Sequence, residues 1–310
     1  MGLLRDYLSA LKPLEVEEPI DVYVHRPPAY VIARLCFSTP VTPDQLTIAA
    51  IVLGVSGGAA LAWPFAGHLQ VGALCVFLSA VLDCSDGMLA RMRGTSSPFG
   101  RMLDGVADLI TVAAVVAGSV VVLVSRYADP WWHAALAVVA AAATVTTSAH
   151  HTAGYDHYKN VYLRLTSPGL RDADDLAEAL ARYEEARREP LGLGRRAIWA
   201  VYLGYLRQQR AWIARYDPHT APDIGRLPPQ DPARAAIYRA HAGAAMRVWR
   251  SLFGMGSLMF GLTVCSAVGR PDLLLVFRLL LLNGVLYLYL KPAQRRASLR
   301  AFAEMGLAKV

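Results

Sequence analysis

The sequence has few cysteines, and they form no pattern of a metal site or a disulfide framework. Its four cysteines lie in or beside apolar runs, without a CxxC pair or other metal-ligand spacing. Residues 1–20 are charged and lack the apolar core of a cleavable signal peptide. No internal repeat, low-complexity tract or nucleic-acid-binding motif is present, so we expect no nucleic-acid partner despite the net charge of +7.

Hydrophobic residues are abundant instead. They make up 55% of the 310 residues, and the mean hydropathy is +0.34, which is too apolar for an ordinary soluble domain. A helix that crosses a bilayer needs about 20 mainly apolar residues. Six stretches qualify: 45–66, 70–90, 99–124, 131–150, 251–269 and 272–290. We therefore predict an all-α polytopic membrane protein with six transmembrane helices.

Basic residues are unevenly distributed between the predicted loops. The loop at 67–69 has no lysine or arginine, and the loop at 125–130 has only Arg126. The loop at 91–101 and the segment after residue 290 are much richer in both. Because cytoplasmic loops of membrane proteins carry an excess of lysine and arginine, we predict that both termini are cytoplasmic.

Two regions lie outside the predicted spans. Residues 1–42 include "HRPPAYVIARLCF", whose mixture of basic and apolar positions predicts an interfacial helix on the membrane. Residues 151–250 are polar and predict a long cytoplasmic insertion between spans 4 and 5, which could cap the active site, bind a partner or lie on the membrane. The predicted division of the chain is 1–42, 43–150, 151–250 and 251–310.

Four aspartates flank the loop between the second and third predicted spans. Asp83 and Asp86 are three residues apart, and Asp104 and Asp108 are four apart, so each pair shares one face of its helix. Carboxylates held together need a counter-charge, and oxygen ligands favour Mg²⁺, Mn²⁺ or Ca²⁺. Arg91 adds a positive charge suited to phosphate oxygens. The pattern indicates metal-assisted phosphoryl transfer, the alternative being a polar helix–loop–helix whose aspartates only meet water and arginines.

The stretch at 83–108 is similar to the signature D-x-x-D-G-x-x-A-R, eight residues, G-x-x-x-D-x-x-x-D of the CDP-alcohol phosphotransferase (phosphatidyltransferase) family of membrane enzymes. Every position of the signature matches: Asp83, Asp86, Gly87, Ala90, Arg91, Gly100, Asp104 and Asp108. The "TPDQLT" at 42–47 also resembles this family, although many members have asparagine at the position of Asp44.

The resemblance implies a reaction in phospholipid synthesis. A CDP-linked donor would transfer a phospho-alcohol unit to a hydroxyl acceptor and release CMP, and one of the two substrates would be a lipid. Asp83, Asp86 and Asp104 would bind Mg²⁺ or Mn²⁺, and Asp108, close to the metal, would complete the metal site. Asp104 and Asp108 would be the catalytic residues, with Asp108 acting as the base. The positions implied to contact the CDP moiety are Gly87, Ala90, Arg91 and Gly100. The resemblance also implies a homodimer.

Several alternatives stay open at this point. We favour a soluble CDP-alcohol donor with a lipid acceptor, because "GTSSPFG" resembles the choline/ethanolamine branch of the family. The reverse orientation is CDP-diacylglycerol with a soluble alcohol or alcohol phosphate. His150 or His151 is a second candidate base. Other classes are a membrane prenyltransferase, which would need more spans, and a non-enzymatic transporter or scaffold, which would not explain the Gly-x-x-Ala-Arg positions.

Overall fold

The computed structural model describes residues 6–8, 10–95, 97–167, 175–188, 190–220, 224, 227–228 and 231–307. Within these ranges the regular elements are helices, and no strand is present. Six of them, or runs of them, are long and apolar enough to cross a membrane. The predicted all-α polytopic membrane class is therefore confirmed, whereas the interfacial position of the N-terminal helix and the cytoplasmic side of 151–250 stay predictions.

The helices follow one another with short connections. In chain order they are α1 Arg26–Cys36, α2 Pro43–Ala62, α3 His68–Arg93, α4 Pro98–Arg126, α5 Trp131–Thr166, α6 Leu176–Ala186, α7 Leu193–Tyr216, α8 Pro232–Leu252, α9 Met255–Ala267, α10 Pro271–Val276 and α11 Lys291–Glu304. Turns of π-helix occupy Asp21–His25, Phe277–Leu282 and Val285–Leu290. The candidate spans are α2, α3, α4, α5 and the runs Pro232–Ala267 and Pro271–Glu304.

The described chain forms two compact units. The first comprises the residues up to Lys12 together with Glu17–Ala149 and Met255–Asn283. The second comprises Pro13–Val16, His150–Gly254 and the residues from Gly284 onward. All four signature aspartates lie in the first unit. The sequence-based division at residues 42, 150 and 250 stays a prediction.

Glycine contacts bring α2 close to its neighbours in the first unit. A Cβ atom added to Gly58 would lie 2.3 Å from the carbonyl oxygen of Ala114 on α4, and one added to Gly118 would lie 2.2 Å from the carbonyl oxygen of Gly58. On the other side, a Cβ added to Gly57 would lie 3.1 Å from the carbonyl oxygen of Gly72 on α3. Helix α2 thus packs directly on both aspartate-bearing helices.

The small residues beside the aspartates predict a close contact between α3 and α4 at that point. The structure instead places the close helix contacts at the glycines of α2. Among the described residues, a Cβ added to Gly87 would meet only the Nη1 atom of Arg91, at 3.3 Å, and no atom of α4. The two aspartate helices are held in place mainly by their shared neighbour α2, because its glycines lie on two faces of the helix.

The helix that contains the fourth predicted span continues beyond the point at which polar residues begin. We predicted a span at 131–150, but α5 continues without a break to Thr166. Its polar-looking last turns contain Tyr158, Val161 and Leu165, which are fully buried. Hydropathy therefore predicts where the apolar run ends but not where the helix ends. The helix continues because buried side chains in its last turns stabilise it.

Apolar and aromatic side chains of α7 are buried in the second unit. On α7, Leu203, Leu206, Trp212 and Ile213 are buried within the unit. These side chains pack inside the protein and are not the ones that would face a membrane surface, and the role of residues 151–250 stays a prediction. A polar centre lies nearby: Asp217 Oδ2 accepts hydrogen bonds from the Tyr158 hydroxyl at 2.9 Å and from Ser298 Oγ at 2.7 Å.

Asp217→Asn should make stability less dependent on pH. Burial raises the pKa of Asp217 above its usual 3.8, and the hydrogen bonds from Ser298 and Tyr158 offset only part of this. The folded state then binds the proton more tightly than the unfolded state, so the free energy of unfolding falls as pH rises above about 3.8. An amide oxygen can still accept both hydrogen bonds, and the amide carries no charge. The variant should therefore gain unfolding temperature relative to wild type when the pH is raised from about 3.5, below the unfolded value, to about 7.

Asp231→Asn is the matched control, because Asp231 caps the N-terminus of α8 and asparagine is an equally good cap. Thermal unfolding of the detergent-solubilised protein at the two pH values gives the comparison. Parallel curves for wild type and the Asp217 variant would show that this carboxyl group does not carry the pH dependence.

Candidate active site

Three signature aspartates converge in the first unit. Asp83 and Asp86 lie in the last turns of α3, and Asp104 lies near the start of α4. One carboxylate oxygen from each lies within 4.8 Å of the other two. Asp86 is buried, and the other two are half-buried. The fourth aspartate, Asp108, is not part of this three-oxygen group.

A threonine from α2 holds one of these carboxylates. Thr47 Oγ1 donates a hydrogen bond to Asp86 Oδ2, and both residues are buried, with exposed fractions of 4% and 5%. The start of α2 is fixed by a capping box, in which Thr42 and Gln45 bond to each other's backbone amides. The "TPDQLT" segment therefore supplies both the helix start and the Asp86 partner. Our sequence analysis quoted this segment without assigning Thr47 a role.

Thr47→Val should weaken Mn²⁺ binding by about 10- to 100-fold, the usual cost of losing a partner that orients a metal ligand. Valine keeps the shape of threonine but removes the hydroxyl group, which leaves the Asp86 carboxylate without this donor. Thr47→Ser is the matched control and should bind Mn²⁺ nearly as wild type does. Calorimetric titration of the purified protein with Mn²⁺ measures both. Equal affinities for the valine and serine variants would contradict the role of the hydroxyl group.

Asp108 lies in the wall of a cavity next to the cluster. The cavity has a volume of about 60 Å³, and Asp83 lies in its wall as well. Its lining also includes Asp21 and His25, from the π-helical turn before α1. Neither residue is among those that the sequence predicts for the site. Their spacing of four residues in "DVYVH" places them on one helix face, and this was the available signal.

The other signature residues lie around the loop between α3 and α4. The Arg91 guanidinium covers Gly87, and its Nε donates to the carbonyl oxygen of Ala10 at 3.2 Å. Gly100 lies in the first turn of α4, where a Cβ would be 3.8 Å from Asp44 Oδ1. Ala90 accepts a hydrogen bond from the Thr95 amide at 2.9 Å. Contact of these residues with a CDP moiety stays a prediction.

The two candidate histidines are explained by packing in the second unit. His151 is fully buried, with its ring edge-on to Phe253 at a centroid distance of 5.0 Å. His150 stacks on Trp212, with 5.0 Å between the ring centroids. These contacts favour the interpretation of both as structural residues.

Known proteins resemble the region that contains the aspartates. Residues 40–162 match a family model described as CDP-alcohol phosphatidyltransferase. A phosphatidylinositol phosphate synthase from Corynebacterium glutamicum is 38% identical over 109 residues, which are 34% of this chain and 49% of that protein. The synthase of the same name from Mycobacteroides abscessus is 42% identical over 79 residues, which are 26% of this chain and 35% of that protein.

A relative with a different name matches a segment of similar length. A bifunctional IPC transferase and DIPP synthase from Rubrobacter xylanophilus is 33% identical over 100 residues, which are 32% of this chain and 22% of that protein. The chain spans about half the length, or less, of the curated relatives it matches. The matched region contains α2, α3, α4 and the complete aspartate signature. Residues 40–162 therefore form a region that is similar to the CDP-alcohol phosphatidyltransferase family.

Proposed function

We propose that this protein transfers a phosphatidyl group from CDP-diacylglycerol to the hydroxyl group of a soluble alcohol phosphate and releases CMP. The observation that carries the proposal is the convergence of Asp83, Asp86 and Asp104 inside a CDP-alcohol phosphatidyltransferase domain. The direction of transfer is supported by the names of two relatives, phosphatidylinositol phosphate synthases, whose product contains a phosphatidyl group. A phosphatidyl group consists of a diacylglycerol and its phosphate, so the donor of such a group contains the lipid.

This proposal replaces our sequence-based preference for a lipid acceptor. That preference depended on the "GTSSPFG" linker, which turn chemistry now explains. Gly94 ends α3 with a left-handed φ of +66°, the conformation that favours glycine at a helix C-terminus. Ser97 caps α4 by accepting a hydrogen bond from the Gly100 amide at 2.9 Å. Local turn and cap geometry therefore accounts for Gly94 and Ser97 without reference to a substrate.

The three carboxylates fit a divalent cation. The donors are oxygen atoms, which Mg²⁺ and Mn²⁺ prefer, and their spacing of up to 4.8 Å is close to the roughly 4.2 Å between opposite ligands of an octahedral Mg²⁺. Small side-chain rotations would bring all three oxygens to one ion. When bound, the cation would neutralise the phosphate oxygens and stabilise the charge that develops in the transition state. Asp108 would lie beside this set.

The chain's own residues position the substrates and move the proton. Asp108 takes the proton from the acceptor hydroxyl, whose oxygen then forms a bond to the phosphorus that carries the diacylglycerol. The bond from this phosphorus to the bridging oxygen of CMP breaks, and CMP leaves. The Arg91 guanidinium binds diphosphate oxygens, because arginine matches their planar pairs of acceptors. Gly87, Ala90 and Gly100 leave room for the CDP moiety.

Placement in the membrane is part of the proposal. The chain is an integral membrane protein with six apolar helical segments. We place the aspartates at the cytoplasmic interface with both termini on that side, since lysine and arginine are concentrated there. A homodimer is proposed from the family resemblance, and light scattering of the protein in detergent tests it.

A substrate-pair assay tests the reaction. Purified protein in lipid, with Mg²⁺ or Mn²⁺, is given CDP-diacylglycerol with inositol phosphate or glycerol phosphate, and CMP is measured. A second set contains CDP-choline, CDP-ethanolamine or CDP-inositol with diacylglycerol. CMP release in the first set only, absent in Asp104→Asn, supports the proposal. Release in the second set would reverse the substrate orientation. Cation binding without CMP release in either set would favour a non-enzymatic membrane protein.

A further inference from the structure

The N-terminal segment contributes a buried histidine to the cavity beside the aspartates. His25 is fully buried and lies in the cavity wall together with Asp83 and Asp108. Its Nδ1 atom lies 2.9 Å from Asp21 Oδ1, and its Nε2 atom is buried with no hydrogen-bond partner among the described residues. Buried polar atoms without a partner are rare, which suggests that a ligand or water meets this nitrogen.

The contact with Asp21 relates the two ring nitrogens of His25. In the tautomer whose Nδ1 carries the hydrogen, Nδ1 donates to Asp21 Oδ1. The other nitrogen of that tautomer, Nε2, is an acceptor. A group that meets it has to donate, as a hydroxyl group does.

This arrangement is held rigidly by the surrounding helices. The ring of His25 lies between Phe77 and Phe260, with centroid distances of 5.8 and 6.4 Å. Asp21 lies against Gly256, where an added Cβ would be only 2.0 Å from Asp21 Oδ1. Glu18 accepts hydrogen bonds from the amides of Gly256 and Ser257 at 3.1 and 2.9 Å. The N-terminal segment is thereby tied to the first turn of α9.

The cavity offers acceptors to whatever enters it. Its polar lining consists of the acidic residues Asp21, Asp83 and Asp108, the imidazole of His25, and the hydroxyl residues Ser79 and Thr111. The hydroxyl of Ser79 already donates to the carbonyl oxygen of Ala50 at 2.7 Å. Such a wall repels a phosphate group and attracts hydroxyl groups. At about 10–15 Å³ for each water-sized group, 60 Å³ accommodates about four of them.

We propose that this cavity binds the polyol end of the acceptor, and that His25 Nε2 accepts a hydrogen bond from the hydroxyl group next to the one that reacts. The proposal rests on the proposed function and deepens it: the acceptor is a polyol phosphate whose phosphate stays outside the cavity. Asp108 then receives the proton of the reacting hydroxyl, and His25 selects acceptors that carry a second hydroxyl beside it.

Two variants of His25 separate binding from a structural role. His25→Asn keeps a donor near the position of Nδ1, which can still bond to Asp21, but has no atom at the position of Nε2. His25→Gln places an amide oxygen near Nε2 instead. The acceptors are glycerol phosphate and 3-hydroxypropyl phosphate, which lacks the neighbouring hydroxyl group, or inositol phosphate and its monodeoxy analogues if wild type uses inositol phosphate.

We expect wild type to prefer the complete polyol phosphate by about tenfold in kcat/KM. His25→Asn should raise the KM for this acceptor by about tenfold, leave the KM for CDP-diacylglycerol unchanged, and lose the preference over the deoxy analogue. His25→Gln should retain part of the preference. Mn²⁺ affinity should stay at the wild-type value in both variants. Their unfolding temperatures should fall by similar amounts, because each variant removes the ring that packs between Phe77 and Phe260.

Two results would overturn the proposal while the proposed function stands. One is a wild-type enzyme that releases CMP equally well with the polyol phosphate and its deoxy analogue. The other is His25→Asn keeping the full preference, or losing it no more than His25→Gln does. A wild-type protein that releases no CMP from CDP-diacylglycerol with any alcohol phosphate would instead overturn the proposed function, and this inference with it.

Discussion

Replacing Asp108 with asparagine should lower the rate of CMP release by about a thousandfold while leaving Mn²⁺ binding nearly intact. General base catalysis contributes about 10²- to 10⁴-fold, and an amide cannot take the acceptor's proton. Metal binding should survive because the three oxygens that converge belong to Asp83, Asp86 and Asp104. The loss should therefore fall on kcat and leave cation affinity unchanged, which distinguishes this variant from Asp104→Asn.

Asp44→Asn is the matched control for Asp108→Asn. It makes the same change of a carboxylate to an amide in the first turn of α2, outside the three-oxygen group. The control should keep both CMP release and Mn²⁺ affinity. If Asp108→Asn turned over at the wild-type rate, Asp108 would not be the base. If it lost Mn²⁺ affinity as strongly as Asp104→Asn, Asp108 would be a full metal ligand.

Gly58→Ala should prevent the helices that carry the aspartates from assembling. The new Cβ would lie 2.3 Å from the carbonyl oxygen of Ala114, and backbone cannot rotate out of the way as a side chain can. Overpacking of a tight interface costs about 1–3 kcal/mol, and a clash with backbone belongs at the upper end. We expect a lower yield of folded protein, a lower unfolding temperature in detergent, and lower Mn²⁺ affinity, because α2 also positions Thr47.

Gly105→Ala provides the comparison on α4. Among the described residues, nothing lies within 4 Å of the position that its Cβ would take. Alanine inside a helix is favoured over glycine by about 0.5–1 kcal/mol, so this variant should be as stable as wild type or slightly more stable. Equal unfolding temperatures for the two alanine variants would show that the glycine contact of α2 does not limit stability.

The sequence predicted the features that depend on local composition. Six apolar segments were predicted, and six are present, because the hydrophobic length that a bilayer requires can be counted directly. The aspartate cluster followed from helical spacing, since residues three or four apart share a face. The continuation of α5 to Thr166 was missed because buried aromatic residues such as Tyr158 stabilise a helix without making it apolar enough to score as a span.

The sequence did not reveal contacts between residues that are distant along the chain. Thr47 and Asp86 are 39 positions apart, and nothing local to either residue indicates their hydrogen bond. His25 and Asp108 meet the same cavity from opposite ends of a segment of more than eighty residues. The small residues Gly87 and Ala90 suggested a helix contact at the wrong place, since composition shows that a residue is small but not what it faces.

The hydrogen bonds between Glu18 and the first turn of α9 join two segments that both lie outside the region matched by the family model. The matched region begins at residue 40 and ends at residue 162, yet Asp21, His25, Met255, Gly256 and Met259 all line the cavity that contains Asp108. A chain shortened to the matched region would retain every signature aspartate but would open this cavity on two sides. The boundary of sequence similarity is thus not a boundary of the cavity, because segments on both sides of the matched region contribute to its wall.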